Sequence, residues 1–382
     1  MKNKTHVVIV GGGINGCGLA YNLAKKGVDV TLFEKNYLSS GATGSCGAGI
    51  RQQWSTHENA ELSMKSVKIF EKLSNELDED IELRQGGYLI VIHDKEELLQ
   101  SEKNVKMQKS LGIPVKIISK DEIIEIVPIL NIKGMNAIAA TFCPTDGHAD
   151  PFKTTFAYAN AARKYGANIF THTTVIDIKT KNKQVSEVIT DKERIKTDFV
   201  VNAAGINSKE ICKMVGIKIP TKPIRKEIMV TERIEPLFEA MVISFKDGIY
   251  FSQQKEGQII GGIPIPEQKF GYNTDPTVSF LQHMSKTLTR YAPILKHINM
   301  LRHWTSFYDV SPDSRPILGE TNDLKGFIHC HGFSGHGFMI SPMVTKMLCE
   351  YIVEGKTSEL LESLNLKRFK DKQIEHEMAV VG

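Results

Sequence analysis

Two domains of different class are expected from this sequence: an α/β domain with a parallel sheet, discontinuous along the chain, and an α+β domain built on an antiparallel sheet. Three observations predict it. A short apolar strand runs straight into a glycine cluster and a helix over residues 6–24, the same strand-to-glycine pattern returns at 198–205 and 326–337, and β-rich runs lie in between. At ~150 residues per domain, 382 residues leave room for two domains and a large core. Apolar residues at 41% and charged residues at 24% describe an ordinary globular chain, and 48 basic against 44 acidic groups leave +4, so nothing points to nucleic acid. The 30 glycines are unexceptional in number, but ten fall within residues 1–50.

His6-Val7-Val8-Ile9-Val10 has the continuous apolar character of a parallel strand covered on both faces. Gly11-Gly12-Gly13-Ile14-Asn15-Gly16 follows directly. Leu19, Ala20, Leu23 and Ala24 then keep helical spacing as far as Gly27, and Val28 to Phe33 reads as a second strand ending in Glu34. This is a G-x-G-x-x-G unit in its required context. Gly11 makes the tight turn, Gly13 lets backbone approach a pyrophosphate, and Gly16 lets helix and strand pack closely. Glu34 is placed for ribose hydroxyls and disfavours an additional 2′-phosphate. The unit alone does not choose between NAD and FAD.

Residues 39–51 are small, with Arg51 at their end, and suit backbone laid along an extended ligand. Val175, in a strand expected over 173–178, and the apolar run Asp198 to Gly205 are read as two strands returning to the nucleotide-binding sheet, which makes that domain discontinuous. Gly326 to Met339 reads as strand, glycine-rich turn and helix, the helix carried on by Ile340, Met343, Val344, Met347 and Leu348. Open N–H groups at such a helix start can stabilise the negative charge of a reduced flavin. His329, His331 and His336 lack acidic partners at helical spacing, so no metal is expected. The antiparallel sheet is expected from Gly87–His93, Ile224–Thr231, Met241–Phe245, Ile249–Gln254 and Gln258–Ile263. Six single cysteines without a C-x-x-C pair suit reduced thiols in the cytoplasm, no run approaches a membrane span, and the charged stretch 367–377 is expected to be solvated.

Together, Gly11 to Glu34, Gly41 to Arg51, Val200 to Gly205, Ser311 to Pro316 and Gly332 to Phe338 resemble the D-amino-acid oxidase superfamily of FAD enzymes, within it the glycine and sarcosine oxidase branch. Gly49 to Gln53, Pro144 to Phe152 and Met241 to Phe245 are similar to β subunits of archaeal L-proline dehydrogenases, alongside those of heteromeric sarcosine oxidases and hydrogen cyanide synthases. The resemblance implies a Rossmann-like FAD-binding domain over 1–80, 147–222 and 312–375, a substrate-binding domain over 81–146 and 223–311, and a tail at 376–382. It implies hydride transfer from the α-carbon of a small amino acid to flavin N5.

Residue by residue, it assigns FAD contacts to Gly13, Ile14, Glu34, Ala42, Thr43, Gly47, Gly49 and Val175, and to Gly332, Gly335, His336, Gly337, Phe338 and Met339 around the ring. Gly11, Gly16, Ala204 and Gly205 complete the expected cofactor set. Arg51 matches the arginine that binds the substrate carboxylate, and Tyr308 an aromatic at the ring's substrate edge. Departures carry meaning too. Ser306 replaces the cysteine that links FAD covalently in monomeric sarcosine oxidases, so FAD is expected to be non-covalent. Met339 replaces a second carboxylate-binding lysine, the oxygen-activating lysine falls at Gly261 and is absent, and the FMN-linking histidine falls at Pro151. Any FMN is then non-covalent at a subunit interface, and electrons pass to a partner dehydrogenase or ferredoxin-like subunit. His336 or His303 is expected to take the amine proton, with Tyr308 orienting the amine. A self-sufficient oxidase, an NAD-linked dehydrogenase and a flavin-bearing subunit without turnover remain as alternatives.

Overall fold

The computed structural model describes residues 4–265, 272–321, 323–370 and 376–380. Residues 371–375 of the expected FAD-binding portion and 381–382 of the expected tail lie outside them. Val7–Val10 forms the middle of a six-stranded sheet, ordered Ile317–Glu320, Phe327–His331, Phe199–Asn202, Val7–Val10, Val30–Phe33, Asn168–Phe170. All neighbours are parallel except the first pair. Alternation along one strand shows why the run is unbroken. Val7 and Ile9 enter a core with the helices Ile14–Lys25, His57–Leu77 and Gly337–Glu354, while Val8 and Val10 pack on the opposite face with Val188 and Ile211.

One strand expected in this sheet is elsewhere. Val175–Lys181 pairs with Gln184–Thr190 in a separate three-stranded antiparallel sheet, so of the two strands expected to return, Phe199–Asn202 alone lies beside Val7–Val10. Val185, Val188 and Ile195 give that smaller sheet its own apolar face, which covers the parallel sheet instead of extending it.

The second sheet has eight strands, in the order Met300–Val310, Lys222–Arg233, Gln258–Gly262, Tyr250–Gln253, Met241–Ile243, Tyr88–Ile92, Ala139–Cys143, Lys116–Ile118. It is antiparallel except where Met241–Ile243 runs parallel to Tyr88–Ile92. The helix Val278–Tyr291 covers one face through Phe280, Met284, Leu288 and Tyr291, leaving the other face turned toward the parallel-sheet domain. A two-residue pairing of Gly49–Ile50 with Gly147–His148 lies at the site, and an isolated bridge from Arg84 to His148 joins it to the other part.

The charged stretch over 367–377 is not simply solvated. Arg368 is half-buried against Asp313 at 2.7 Å, and Glu377 is 4% exposed, held by Ser55 and Thr56. A carboxylate there satisfies the two amides that lead into the His57–Leu77 helix and sits at its positive end, and that outweighs the tendency of a charged run to stay in water. Among the described residues no helix is long and apolar enough to cross a membrane.

Candidate active site

The nucleotide end of the site is the turn after Val10. Gly16 has no room for a side chain, because a Cβ there would lie 1.9 Å from the Gly11 carbonyl oxygen. Glu34 accepts from the Gly12 and Asn36 amides at 2.7 and 2.8 Å, and Thr43 Oγ1 accepts from the Ile14 amide at 3.2 Å. The helix starting at Ile14 has no capping bond from its N-cap Gly13 and no acid in its first turn, so its positive end is free for an anion. Gly13 lies against Thr43, Ala204 directly follows the carbonyl that abuts Gly11, and Gly205 takes a left-handed turn at φ +55° beyond it. Asn15 Nδ2 donates to the Gly337 carbonyl at 3.4 Å, which joins this helix start to that of Gly337–Glu354. Val175 is buried beside Val10 and Phe33, at the edge of the nucleotide end.

From there an apolar cleft of about 640 Å³, counted with its open mouth, runs toward the eight-stranded sheet. It gathers Gly47, Gly49, Arg51, Tyr308, Gly335, His336, Phe338 and Met339 from the expected set, and adds Trp54, Tyr88, Tyr250 and Val380. Ala42 and Thr43 lie just before its rim, and the Gly332 amide donates to Asp309 at 2.8 Å behind the loop. Gly335 lets that loop lie on the Tyr308 ring, since a Cβ would stand 2.3 Å from it. His336 caps the Gly337–Glu354 helix without a side-chain bond and packs 4.8 Å from Trp54. These residues fit a flavin: backbone and an uncapped helix end at one pole, flat apolar walls at the other, and buried ring nitrogens on His336 that have no partner.

Arg51 is the cleft's cation. It is 3% exposed, its guanidinium carbon stacks 3.9 Å from the Trp54 ring, and Nε and Nη1 have no acceptor. Burial draws it below the usual arginine value, yet a guanidinium keeps its charge. The neighbouring glutamines explain its position. Buried Asp146 accepts from the Gln52 amide and side chain at 2.9 and 3.1 Å and from Gln53 Nε2 at 3.0 Å, so two separate sequence motifs lock together behind Arg51. Burial pushes the Asp146 carboxyl up to about 6, against those hydrogen bonds.

Tyr308 is pushed up to about 12 by burial and stays a phenol. His336 is held down to about 4 by burial, with the Arg51 charge adding to the effect, and stays neutral. His303 does not belong to this group. Strand alternation points it to the other face of the sheet, where it meets Glu227 at 2.6 Å and stacks on Phe280. Ser306 lies on the cleft-facing side of the same strand, paired with Lys226, whose Nζ is 5.5 Å from the Tyr308 ring centre and which burial lowers to about 8. His329 and His331 are bonded to each other at 2.9 Å beside Cys212, and none of the three lines the cleft.

Tyr88 and Tyr250 lie in runs whose strand character is readable, but their meeting on one face depends on the distant pairing of Tyr88 with Met241, to whose strand Tyr250 pairs locally through Ile243. Trp54 follows a motif that is readable as a whole, and Val380 gives no sequence signal.

The chain is 27% identical over 388 residues to the sarcosine oxidase β subunit of Arthrobacter sp, covering 100% of this chain and 95% of that one. It is equally identical to the mitochondrial sarcosine dehydrogenase of Mus musculus, but spans only 42% of that longer protein. Among solved structures it superposes on the L-proline dehydrogenase from P.horikoshii with a TM-score of 0.94 and 39% identity over 98% of this chain and 100% of that one. The glycine oxidase from Bacillus cereus ATCC 14579, at 24% identity and TM-score 0.84 over 94% and 98% of the two chains, shares the fold. With the family model for FAD dependent oxidoreductases, DAO, matching residues 6–351, the glycine-lined turn and apolar cleft are those of a member: the chain belongs to the FAD dependent oxidoreductase family.

Proposed function

We propose that the chain oxidises the C–N bond of a small amino acid of proline, hydroxyproline, sarcosine or glycine type, as the catalytic β subunit of a heteromeric dehydrogenase. The observation that carries this reading is Arg51, a buried cation with two unpartnered nitrogens at the wall of an apolar cleft. An α-carboxylate brought out of water needs such a partner, and stacking on Trp54 fixes the plane in which the guanidinium presents its paired N–H groups. FAD held along Gly11 to Gly16, Glu34 and the Gly332–Met339 loop supplies the acceptor for the α-hydrogen as hydride. The Tyr308 phenol orients the amine, and Tyr88, Tyr250 and Met241 exclude water. A protonated amine has no lone pair for the C=N bond, so the cleft takes the neutral form. His336 can accept a hydrogen bond from it, though its low basicity makes it a poor store for a proton.

The heteromeric part of the proposal rests on likeness to a protein named as a β subunit and on Gly261, which stands where the resemblance puts an oxygen-activating lysine. A second, more polar cleft holds Pro151 with Arg84, Lys255 and Arg302, cations suited to the phosphate of a non-covalent FMN between subunits, beside Lys153, which is paired with Glu82 at 2.5 Å, and the carboxylates Asp150 and Glu256.

The test is anaerobic bleaching of the flavin-loaded chain by proline, hydroxyproline, sarcosine, glycine and their D forms. Bleaching by one of them, with electrons passing to a dye much faster than to oxygen, is expected. Fast peroxide formation would make the chain a self-sufficient oxidase, and no bleaching by any of them would leave it a binding subunit. Arg51→Ala should raise half-saturation about 100-fold with FAD retained, the scale of a two-point charged hydrogen bond. Unchanged half-saturation removes the carboxylate role.

A further inference from the structure

The segment 376–380 reaches the cleft at Ala379 and Val380, with residues 376–379 alternating between exposed and buried. Glu377 is its anchor. The carboxylate accepts from the Ser55 and Thr56 amides at 2.9 and 3.0 Å, from their hydroxyls at 2.5 and 2.6 Å and from Asn59 at 3.3 Å, and it also turns back to the Ala379 amide at 2.8 Å. Although burial pushes the carboxyl up, those donors hold it below its usual range, so it is charged at neutral pH. Two residues on, the Ala379 carbonyl accepts from Arg51 Nη2 at 2.5 Å, and Val380 lines the cleft. Met378, between them, is 77% exposed but its amide donates to Ser55 Oγ at 2.9 Å and so belongs to the anchor, past which the segment is attached by little more than Ala379 and Val380.

The position of that carbonyl matters chemically. A guanidinium offers two edges with paired N–H groups, Nε with Nη2 and Nη1 with Nη2, and Nη2 belongs to both. A carbonyl on Nη2 takes one of its two hydrogens and so removes one of the two edges, while Val380 narrows the approach to the other. A neutral carbonyl is also a weaker partner for the cation than a carboxylate, so the contact can be exchanged.

We propose that residues 376–380 are a strap that competes with the substrate carboxylate for Arg51: Glu377 stays fixed at the helix start, and Ala379 and Val380 leave the cleft when a carboxylate binds. This rests on the reading of Arg51 as the carboxylate site. A strap docked most of the time weakens apparent affinity by the fraction undocked.

The test uses the flavin-loaded full chain with cyclopentanecarboxylate, which has the ring and carboxylate of a proline-type substrate but no C–N bond to oxidise. Its affinity is read from the flavin spectrum or by calorimetry. Glu377→Ala should bind it about tenfold more tightly than the parent, the change expected when a strap docked about 90% of the time is freed. A chain ending at residue 375 should do the same. In the parent, amide hydrogens of residues 378–380 should exchange faster once the carboxylate is bound. Equal or weaker binding in both variants, or slower exchange on binding, would overturn the strap and make the segment a fixed wall. That failure is distinct from failure of the arginine reading, in which Arg51→Gln binds cyclopentanecarboxylate as well as the parent does.

Discussion

The two ends of the cleft are built from different material. At the nucleotide end the contacts are backbone or local: Gly12 to Glu34, Ile14 to Thr43, and the approach of Gly16 to Gly11 all lie within the first 43 residues. At the ring end the walls are side chains from well-separated stretches, including Trp54, Tyr88, Tyr250, Tyr308, His336 and Val380. Backbone recognition has to be written as glycine at fixed spacing, because no other residue gives the same approach. Side-chain recognition can be supplied from any segment that the fold brings near. The first end is thereby rigid in sequence and common to many chemistries, and the second is where one chemistry is chosen.

The sharpest way to break this contrast is at Gly16. Gly16→Val forces a side chain into the Gly11 carbonyl and should cost more than 100-fold in FAD affinity, read as flavin-to-protein absorbance after gel filtration. A yellow, stoichiometric variant would mean that backbone approach does not set the nucleotide end.

The ring end should fail differently. Asp146 touches neither the cleft nor the expected cofactor contacts, but it positions Gln52 and Gln53 on the strand end that carries Arg51. Asp146→Ala leaves the buried Gln52 amide without an acceptor, at about 1–3 kcal/mol, and takes an acceptor from each glutamine side chain, Gln52 Nε2 keeping Thr145 and Gln53 Nε2 keeping the Tyr88 carbonyl. Half-saturation should rise about tenfold while FAD stays bound, and Asp146→Asn should recover part of it, since its amide oxygen still accepts. Simultaneous loss of flavin would show that the two ends are not separable.

This difference also governs what could be read in advance. Strand, turn and helix at 6–34 are legible because period and glycine placement specify them locally, and the same holds for 326–339. The strand at Val175 was misplaced for a physical reason: an apolar alternating run fits a covering sheet as well as the sheet it covers, and only pairing decides. His303 is expected in the site for its imidazole alone, since the local pattern does not announce the strand Met300–Val310. Its face is set by the register of Met229 opposite it, which no local pattern gives. The Gly49–Gln53 and Pro144–Phe152 motifs are legible as a resemblance, but their reason appears only when Asp146 is seen closing on both glutamines. Glu377 was read as solvated because a charged run gives no hint of a helix N-terminus waiting for it.

The smallest expected effect concerns protons, and it separates the two ends once more. The titratable groups lining the cleft are moved away from neutrality: His336 down to about 4, Cys46 up to about 11, Tyr308 up to about 12, and Tyr88 and Tyr250 further up, in each case chiefly by burial. The substrate amine is then the group that titrates. Bleaching rate over half-saturation should rise about tenfold per pH unit until the amine's own pKa, ~10 for a secondary or primary amine with the proton model used for lysine. FAD affinity, set by backbone, should stay flat over the same range. His336→Asn should leave the slope unaltered and shift the rate less than about threefold, as expected for a hydrogen-bonding wall and not a base. The measurements belong above pH 6.5. A histidine held down to about 4 in the folded chain and near 6.5 when unfolded contributes stability that is fully present above 6.5 and lost as pH falls toward 4, up to ~3 kcal/mol. A bend near pH 8 that disappears in Lys226→Met would move the proton acceptor from the substrate's surroundings to the half-buried lysine beside Tyr308, and the ring end would then depend on a residue outside the cleft lining on the same face of the sheet.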